Sequence, residues 1–213
     1  MPPLLLGHRG ARASRHIPEN TLESFERCLQ QGCDGFEFDV RRTADGVPVI
    51  CHDPVVRGLE IAKTASSILS LPALGAVLSQ LSSRAFLDIE LKVIGVEREL
   101  IAALAQYPAQ KGYVVSSFLP AVLSAVHQVG PGIPTGLISE TTDQLQQWRA
   151  SPTQWVIPNV KLANRNLVDQ LHSAGKKVMI WTVNDADQMR EVAAWGADAV
   201  ISDQTELLCR VLS

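Results

Sequence analysis

Short apolar runs alternate along this chain with longer segments whose apolar positions recur every three or four residues. The first pattern predicts buried strands and the second amphipathic helices. Leu4 to Gly7 reads as a strand. A helix follows from about Thr21 to Gln31, with Asn20 as its expected cap, Glu23 at the capping-box position and Gly32 as its stop. Further on, strands are expected at Ala85 to Lys92, Tyr113 to Phe118, Thr135 to Ser139, Trp155 to Pro158, Lys177 to Val183 and Ala199 to Ser202. The periodicity between and after them predicts helices at Ala73 to Leu81, Val96 to Tyr107, Ala121 to Val129, Asp143 to Arg149, Asn166 to Ala174, Ala186 to Trp195 and Thr205 to Leu212.

One stretch departs from simple alternation. Gly35 to Asp53, GFEFDVRRTADGVPVICHD, reads as strand, tight turn, strand. Phe36, Phe38 and Val40 fall on one face, and Glu37 and Asp39 on the other. Asp45-Gly46 supplies the turn, and Pro48 to Cys51 runs back as an additional strand that delivers His52 and Asp53. One hairpin therefore brings two carboxylates and an imidazole together. Pro54 to Leu71 follows as a loosely patterned loop.

Counting the hairpin's first strand, these elements make eight strand–helix units with short apolar strands, as parallel buried strands should be. That alternation predicts an α/β fold, a TIM (β/α)8 barrel, as a single domain over residues 1–213 with a short insertion at 54–71 after the second strand. An open doubly wound sheet is the rival, but no G-x-G-x-x-G turn follows the first strand. The chain's 213 residues, 46% of them hydrophobic, suffice for such a core.

Charge and cysteine usage narrow the partners. A net charge of −3 without clustered Lys and Arg argues against nucleic acid and anionic membrane as partners. Leu4 to Leu6 is too short for an apolar signal core, and no run reaches the ~20 residues of a membrane span. Cys28, Cys33, Cys51 and Cys209 show no C-x-x-C pairing and read as reduced thiols, so a cytoplasmic setting is expected.

In a TIM barrel, catalytic residues sit where strands end. Here His8 and Arg9 end the first strand, Glu37 and Asp39 the second, Glu90 and Lys92 the third, Ser117 and Phe118 the fourth, Trp181 and Asn184 the seventh, and Asp203 the eighth. Glu37, Asp39 and Glu90 are three hard oxygen ligands suited to Mg²⁺ or Ca²⁺. Arg9 and Lys92 suit a phosphate, and His8 and His52 can exchange protons near neutral pH. Together they describe attack on a phosphoester. Each residue taken singly also has a structural reading: His8 as a strand cap, Lys92 as a partner for Glu90, Trp181 as barrel core, Asp203 as a loop anchor. His16, His127 and His172 are given no role.

The same residues resemble the glycerophosphodiester phosphodiesterase family. The matching pieces are His8-Arg9-Gly10, Pro18-Glu19-Asn20-Thr21, Glu37-Phe38-Asp39-Val40, Thr43 with Asp45-Gly46, Pro48-Val49-Ile50 with His52-Asp53, Glu90-Leu91-Lys92, Ser117-Phe118, Trp181-Thr182-Val183-Asn184, and Gly196-Ala197-Asp198-Ala199 with Ser202-Asp203. The resemblance implies a barrel that hydrolyses glycerophosphodiesters to glycerol 3-phosphate and an alcohol. It implies Glu37, Asp39 and Glu90 as metal ligands, and His8 and His52 as general acid and base. Arg9 and Lys92 would bind phosphate, with Phe118 and Trp181 along the glycerol. The family's usual insertion after His52-Asp53 is here reduced, without its Thr-Thr and Gly-rich markers. Two other readings are a lysophospholipase D, with Leu59, Ile61, Ile68 and Leu69 as an apolar entrance, and a non-catalytic phosphodiester-binding protein.

Overall fold

The computed structural model describes residues 2–213. In chain order its strands are β1 (Leu4–Gly7), β2 (Gly35–Arg42), β3 (Pro48–Ile50), β4 (Val55–Val56), β5 (Leu59–Glu60), β6 (Phe86–Leu91), β7 (Tyr113–Ser117), β8 (Thr135–Ser139), β9 (Trp155–Pro158), β10 (Lys177–Ile180) and β11 (Ala199–Ser202). The helices are α1 (Leu22–Gln30), α2 (Ser66–Leu69), α3 (Leu74–Leu81), α4 (Glu97–Gln106), α5 (Pro120–Val129), α6 (Thr142–Gln146), α7 (Arg165–Ser173), α8 (Ala186–Ala194) and α9 (Thr205–Leu212). Among the described residues no helix is long and apolar enough to cross a membrane.

Parallel pairing runs β1-β11-β10-β9-β8-β7-β6-β2 and returns from β2 to β1, so the sheet closes as an eight-stranded barrel among the described residues. Closure at β1–β2 is short. Only Leu6↔Gly35 and Gly7↔Phe36 are paired. Farther along β2, Val40, Arg41 and Arg42 pair with Ile50, Val49 and Pro48 of antiparallel β3, so the hairpin stands up from the barrel's carboxyl end. On its other edge β2 pairs with β6 over six residues, with Glu37 opposite Asp88 and Asp39 opposite Glu90.

Alternation sorts the side chains. Leu6, Val114, Ile138, Trp155, Ile157, Met179 and Ile201, from six strands of the closed sheet, pack on one another and on Phe86 of a seventh, and only the barrel interior can bring them together. The opposite faces carry Phe36, Phe38, Leu87, Ile89, Val115, Val156 and Val200, which pack against the helices. Gly35 is needed where β2 enters: a Cβ there would lie 1.9 Å from the Phe86 carbonyl oxygen. Behind β2, Phe25 of α1 stacks on Phe36 at 4.2 Å and 8°, and Phe38 completes the cluster. Such pairs contribute about 0.5–1.5 kcal/mol each beyond their burial. They hold β2 with Phe36 and Phe38 outward, which directs Glu37 and Asp39 inward.

Several expectations are adjusted. The first helix is capped by Thr21, whose hydroxyl accepts from the Ser24 amide, and not by Asn20, which has a left-handed φ of +58° and points elsewhere. The predicted strand to Val183 stops at Ile180; Trp181 makes an isolated bridge to Asn159. Helix Asp143–Arg149 begins one residue earlier and tightens to a 3-10 turn over Gln147–Arg149. The stretch from Pro54 to Leu71 is ordered: β4 and β5 form a small hairpin, a 3-10 turn spans Ile61–Lys63, and α2 follows. Ile61 and Leu69 are buried against Val49 and so anchor this insertion; they do not line an entrance. Leu59 and Ile68 are exposed.

Candidate active site

The barrel's carboxyl end opens into a cavity of about 300 Å³. His8, Arg9, Glu37, His52, Glu90, Lys92, Phe118 and Trp181 all line it, while Asp39 stands just beneath, 1% exposed. The expected site residues thus come from separate strand ends to one place.

Each is held by local structure. The chain leaving β1 turns sharply, with Arg9 at φ +54° and Gly10 at φ +83°. A Cβ at Gly10 would collide with the backbone of Ser24, so this turn needs glycine. The turn aims the Arg9 amide at Glu37, donating to Oε2 at 2.9 Å. The Arg9 guanidinium donates to Glu19 Oε1 at 2.7 Å, and its Nε lies 3.2 Å from Asp39 Oδ2. Lys92 Nζ pairs with Asp39 Oδ1 at 2.9 Å and with Glu90 Oε1, 5.6 Å from the Phe118 ring centroid. Phe118 and Trp181 meet edge to face at 5.5 Å, and the Trp181 Nε1–H donates to the Ile157 carbonyl.

Glu37, Asp39 and Glu90 each offer an oxygen, and these oxygens lie within 4.8 Å of one another. All three side chains are buried, and Glu37 Oε1 has no hydrogen-bond partner. Burial, with Asp39 and Glu90 close by, pushes the Glu37 carboxyl well above its ordinary range. Asp39 goes the other way: burial opposes ionisation, but Lys92, Arg9 and the Asn20 amide outweigh it and hold the carboxylate below its usual value. Glu90 is pushed up by burial against the pull of Lys92. Asp88, deeper in the barrel and fully buried, is pushed up to about 7 by burial although Ser116 donates to it. An all-oxygen trio with an unpartnered buried atom is a fit for a hard divalent cation.

The two histidines are differently set. His8 is 8% exposed, with Nδ1 2.7 Å from Asp203 Oδ1 and Nε2 3.9 Å from Glu37 Oε2. His52 is half-buried, with Nδ1 2.7 Å from Asp53 Oδ1, and its carbonyl accepts from Arg41 Nε.

Four neighbours of the site escape a reading by residue type. Asn20 donates to Asp39 Oδ2, Glu19 bridges Arg9 and Arg12, Arg41 fixes the His52 backbone, and Glu140 stands at the rim. Two of them carry a positional signal all the same: Arg41 continues the Glu37–Asp39 alternation, and Glu140 follows a strand end. Asn20 carried a misleading signal, because an Asn before a helix reads as a cap. His16, His127 and His172 do not line the cavity; His172 pairs with Asp198 on the exterior.

A family model described as the glycerophosphoryl diester phosphodiesterase family matches residues 8–93 and 77–207. A glycerophosphodiester phosphodiesterase of Caldanaerobacter subterraneus subsp. tengcongensis is 28% identical over 248 aligned residues, covering 100% of this chain and 98% of that protein. One of Bacillus altitudinis is 27% identical, covering 93% and 94%. The structure of an Oleispira antarctica phosphodiesterase in complex with the product sn-glycerol-3-phosphate matches with a TM-score of 0.87 and 27% identity, over 99% of this chain and 96% of that one.

Proposed function

Because this chain belongs to the glycerophosphoryl diester phosphodiesterase family, and so is a phosphodiester hydrolase, we propose that it cleaves glycerophosphodiesters to glycerol 3-phosphate and an alcohol in a cation-dependent reaction. The observation that carries the reading is convergence: three buried carboxylates have oxygens within 4.8 Å of one another, and two of them, Glu37 and Glu90, line one cavity with His8, His52 and two cationic side chains, with Asp39 just beneath. A cytoplasmic setting accords with the four free cysteines.

Glu37, Asp39 and Glu90 would hold Mg²⁺ or Ca²⁺, which supplies positive charge against the phosphate oxygens. Arg9 and Lys92 bind the phosphate from the protein side, a fork and a point charge. Both already touch Asp39, so anion binding and the ligand trio are electrostatically one unit. His8 and His52 divide the proton work: one takes the proton of the nucleophile, either water or the substrate's own glycerol 2-hydroxyl, and the other gives a proton to the departing alcohol oxygen; the 2-hydroxyl route passes through a cyclic phosphate that water then opens to glycerol 3-phosphate. Phe118 and Trp181 offer an apolar corner along which the glycerol carbons lie.

Purified diesters with choline, ethanolamine or glycerol leaving groups, assayed for released alcohol with saturating metal, test this. The insertion over residues 54–71 is short, so recognition is expected to be strict for the glycerol phosphate half and loose for the alcohol. The expected kcat/KM values fall within roughly tenfold of one another, or about 1.4 kcal/mol of transition-state binding. Diesters lacking the glycerol 2-hydroxyl are expected to be poor substrates. Brisk cleavage of a lysophospholipid with no turnover of soluble diesters would replace this reading with lysophospholipase D activity, for which the exposed Val55, Leu59 and Ile68 are the favouring observation. Tight binding without turnover would replace it with a non-catalytic role.

A further inference from the structure

His8 and Asp203 lie 195 residues apart in sequence and 2.7 Å apart in space. Barrel closure makes them neighbours: β1 pairs with β11 through Gly7↔Ser202, and the His8 amide donates to the Ser202 carbonyl at 2.9 Å. We propose that Asp203, clamped by Arg12 and Asn184, is the positioning residue of His8 and fixes the imidazole with its Nδ1 protonated and its Nε2 directed into the cavity. This rests on the reading of His8 as a proton carrier given above.

The clamp is more elaborate than a loop anchor needs. Asp203 Oδ1 accepts from Arg12 Nη1 at 3.1 Å as well as facing His8, and Oδ2 accepts from Asn184 Nδ2 at 2.7 Å. Asn184 is oriented in turn, since its Oδ1 accepts from the Asp203 amide at 2.9 Å and the Ser202 hydroxyl at 3.1 Å. Arg12 is oriented by Glu19, to which its Nε donates at 2.6 Å. Glu19 also holds Arg9, and Arg9 meets Asp39. The His8 carboxylate partner is thus joined by alternating charges to the phosphate-binding arginine and the ligand trio.

The chemistry follows from the donor inventory. An ionised carboxylate only accepts, so the atom facing Asp203 Oδ1 is Nδ1–H, and the lone pair of neutral His8 is on Nε2. When Nε2 carries a proton, in either direction of the transfer, the imidazolium charge faces Asp203, which stays ionised throughout. The His52–Asp53 contact has the same 2.7 Å length, but Asp53 is the adjacent residue and its side chain is 72% exposed, against 20% for Asp203. Equal distances with unequal burial predict unequal importance.

The test compares Asp203→Ala, Asp203→Asn, Asn184→Ala and Asp53→Asn with the parent enzyme. Expected for both Asp203 variants is a fall in kcat of about 10²-fold or more, with KM within roughly threefold and calorimetric Ca²⁺ affinity unchanged. Asn184→Ala leaves the carboxylate in place but loosens it, so an intermediate loss is expected, and Asp53→Asn should have the smallest effect. Nitrogen-15 NMR of the His8 ring should report the Nδ1–H tautomer in the parent and a mixture in Asp203→Ala, a change that a merely structural role would not produce. Should Asp203→Ala fail to fold, the ring spectrum and kcat of Asn184→Ala decide. Near-parental kcat in these variants, while His8→Ala is inactive, would overturn the positioning role and leave the proposed function standing. Near-parental kcat in His8→Ala itself would instead remove the reading on which it rests.

Discussion

Asn20 and Asp39 exchange two hydrogen bonds: the Asn20 amide donates to Asp39 Oδ2 at 2.8 Å, and the Asp39 backbone N–H donates to Asn20 Oδ1 at 3.3 Å. Asn20 reaches this position in the left-handed region, φ +58°, which Asn tolerates better than most residues. The pair points one Asp39 oxygen at Asn20 and leaves the other near Lys92. Asn20→Ala is expected to lower divalent-cation affinity about 10- to 100-fold, the usual cost of losing a group that orients a ligand. Asn20→Asp, which sets a second carboxylate against Asp39, should be worse. Calorimetric titration of Mg²⁺ and Ca²⁺ checks both.

The proposed ligand role of Glu37, Asp39 and Glu90 carries its own prediction. Three buried carboxylates repel one another, so a bound cation should stabilise the fold as well as support turnover. EDTA should abolish activity, Mg²⁺ or Ca²⁺ should restore it, and the melting temperature should rise with added cation. Glu37→Gln should lose most of that rise along with turnover. Full activity after exhaustive chelation would sink the assignment.

The histidines should separate in a pH–rate profile. His8→Ala and His52→Ala are each expected to lower kcat by about 10²- to 10⁴-fold while leaving metal affinity near the parental value. The parent should give a bell-shaped profile, and each variant should lose one limb. A variant that kept both limbs and near-normal turnover would return its histidine to a structural role.

Acid stability follows from two aspartates whose carboxyls are held down in the folded chain. Asp45 drops to about 2 because Thr43 Oγ1 and the amide and hydroxyl of Ser66 donate to it, tying the hairpin turn to α2. Burial opposes the ionisation of Asp203, but His8, Asn184 and Arg12 more than offset it and depress its carboxyl well below the usual range. A depressed native value means the unfolded chain takes up the proton first. The contribution to stability is therefore present above the unfolded value of about 3.9 and disappears as pH falls below it. Urea midpoints should drop between about pH 4 and pH 2, and Asp45→Asn and Asp203→Asn should each flatten that drop. An unchanged slope in both variants would contradict it.

Much of this molecule was legible in the chain, and the exceptions have two causes. Thr135–Ser139, Trp155–Pro158, Ala199–Ser202 and Thr205–Leu212 fall where the apolar pattern placed them, because buried strands and amphipathic helices write their faces into the sequence. The inward turn of Glu37 and Asp39 was equally readable from period-two alternation. What alternation lacks is the identity of partners. Asp203 looked like a loop anchor because nothing local connects it to His8, a neighbour created by barrel closure. Asn20 looked like a cap because its tie to Asp39 is a tertiary contact in an unusual backbone region. The insertion looked irregular because two-residue strands and a four-residue helix are too short to show a period.

The pairing of Glu37 with Asp88 and Asp39 with Glu90 would also make a cation held by the carboxylate trio a proofreader of assembly. A slip of one residue between β2 and β6 exchanges inward for outward side chains on one of the two strands. Carboxylates from the slipped strand would then point into the helix layer, where Phe36, Phe38, Leu87 and Ile89 now pack, and no shared oxygen cluster would form. Only the correctly aligned pair can collect the free energy of cation binding. Folding in the presence of the ion should therefore be drained toward that alignment, and the fraction of refolded chains that bind Ca²⁺ would count the barrels that closed in register.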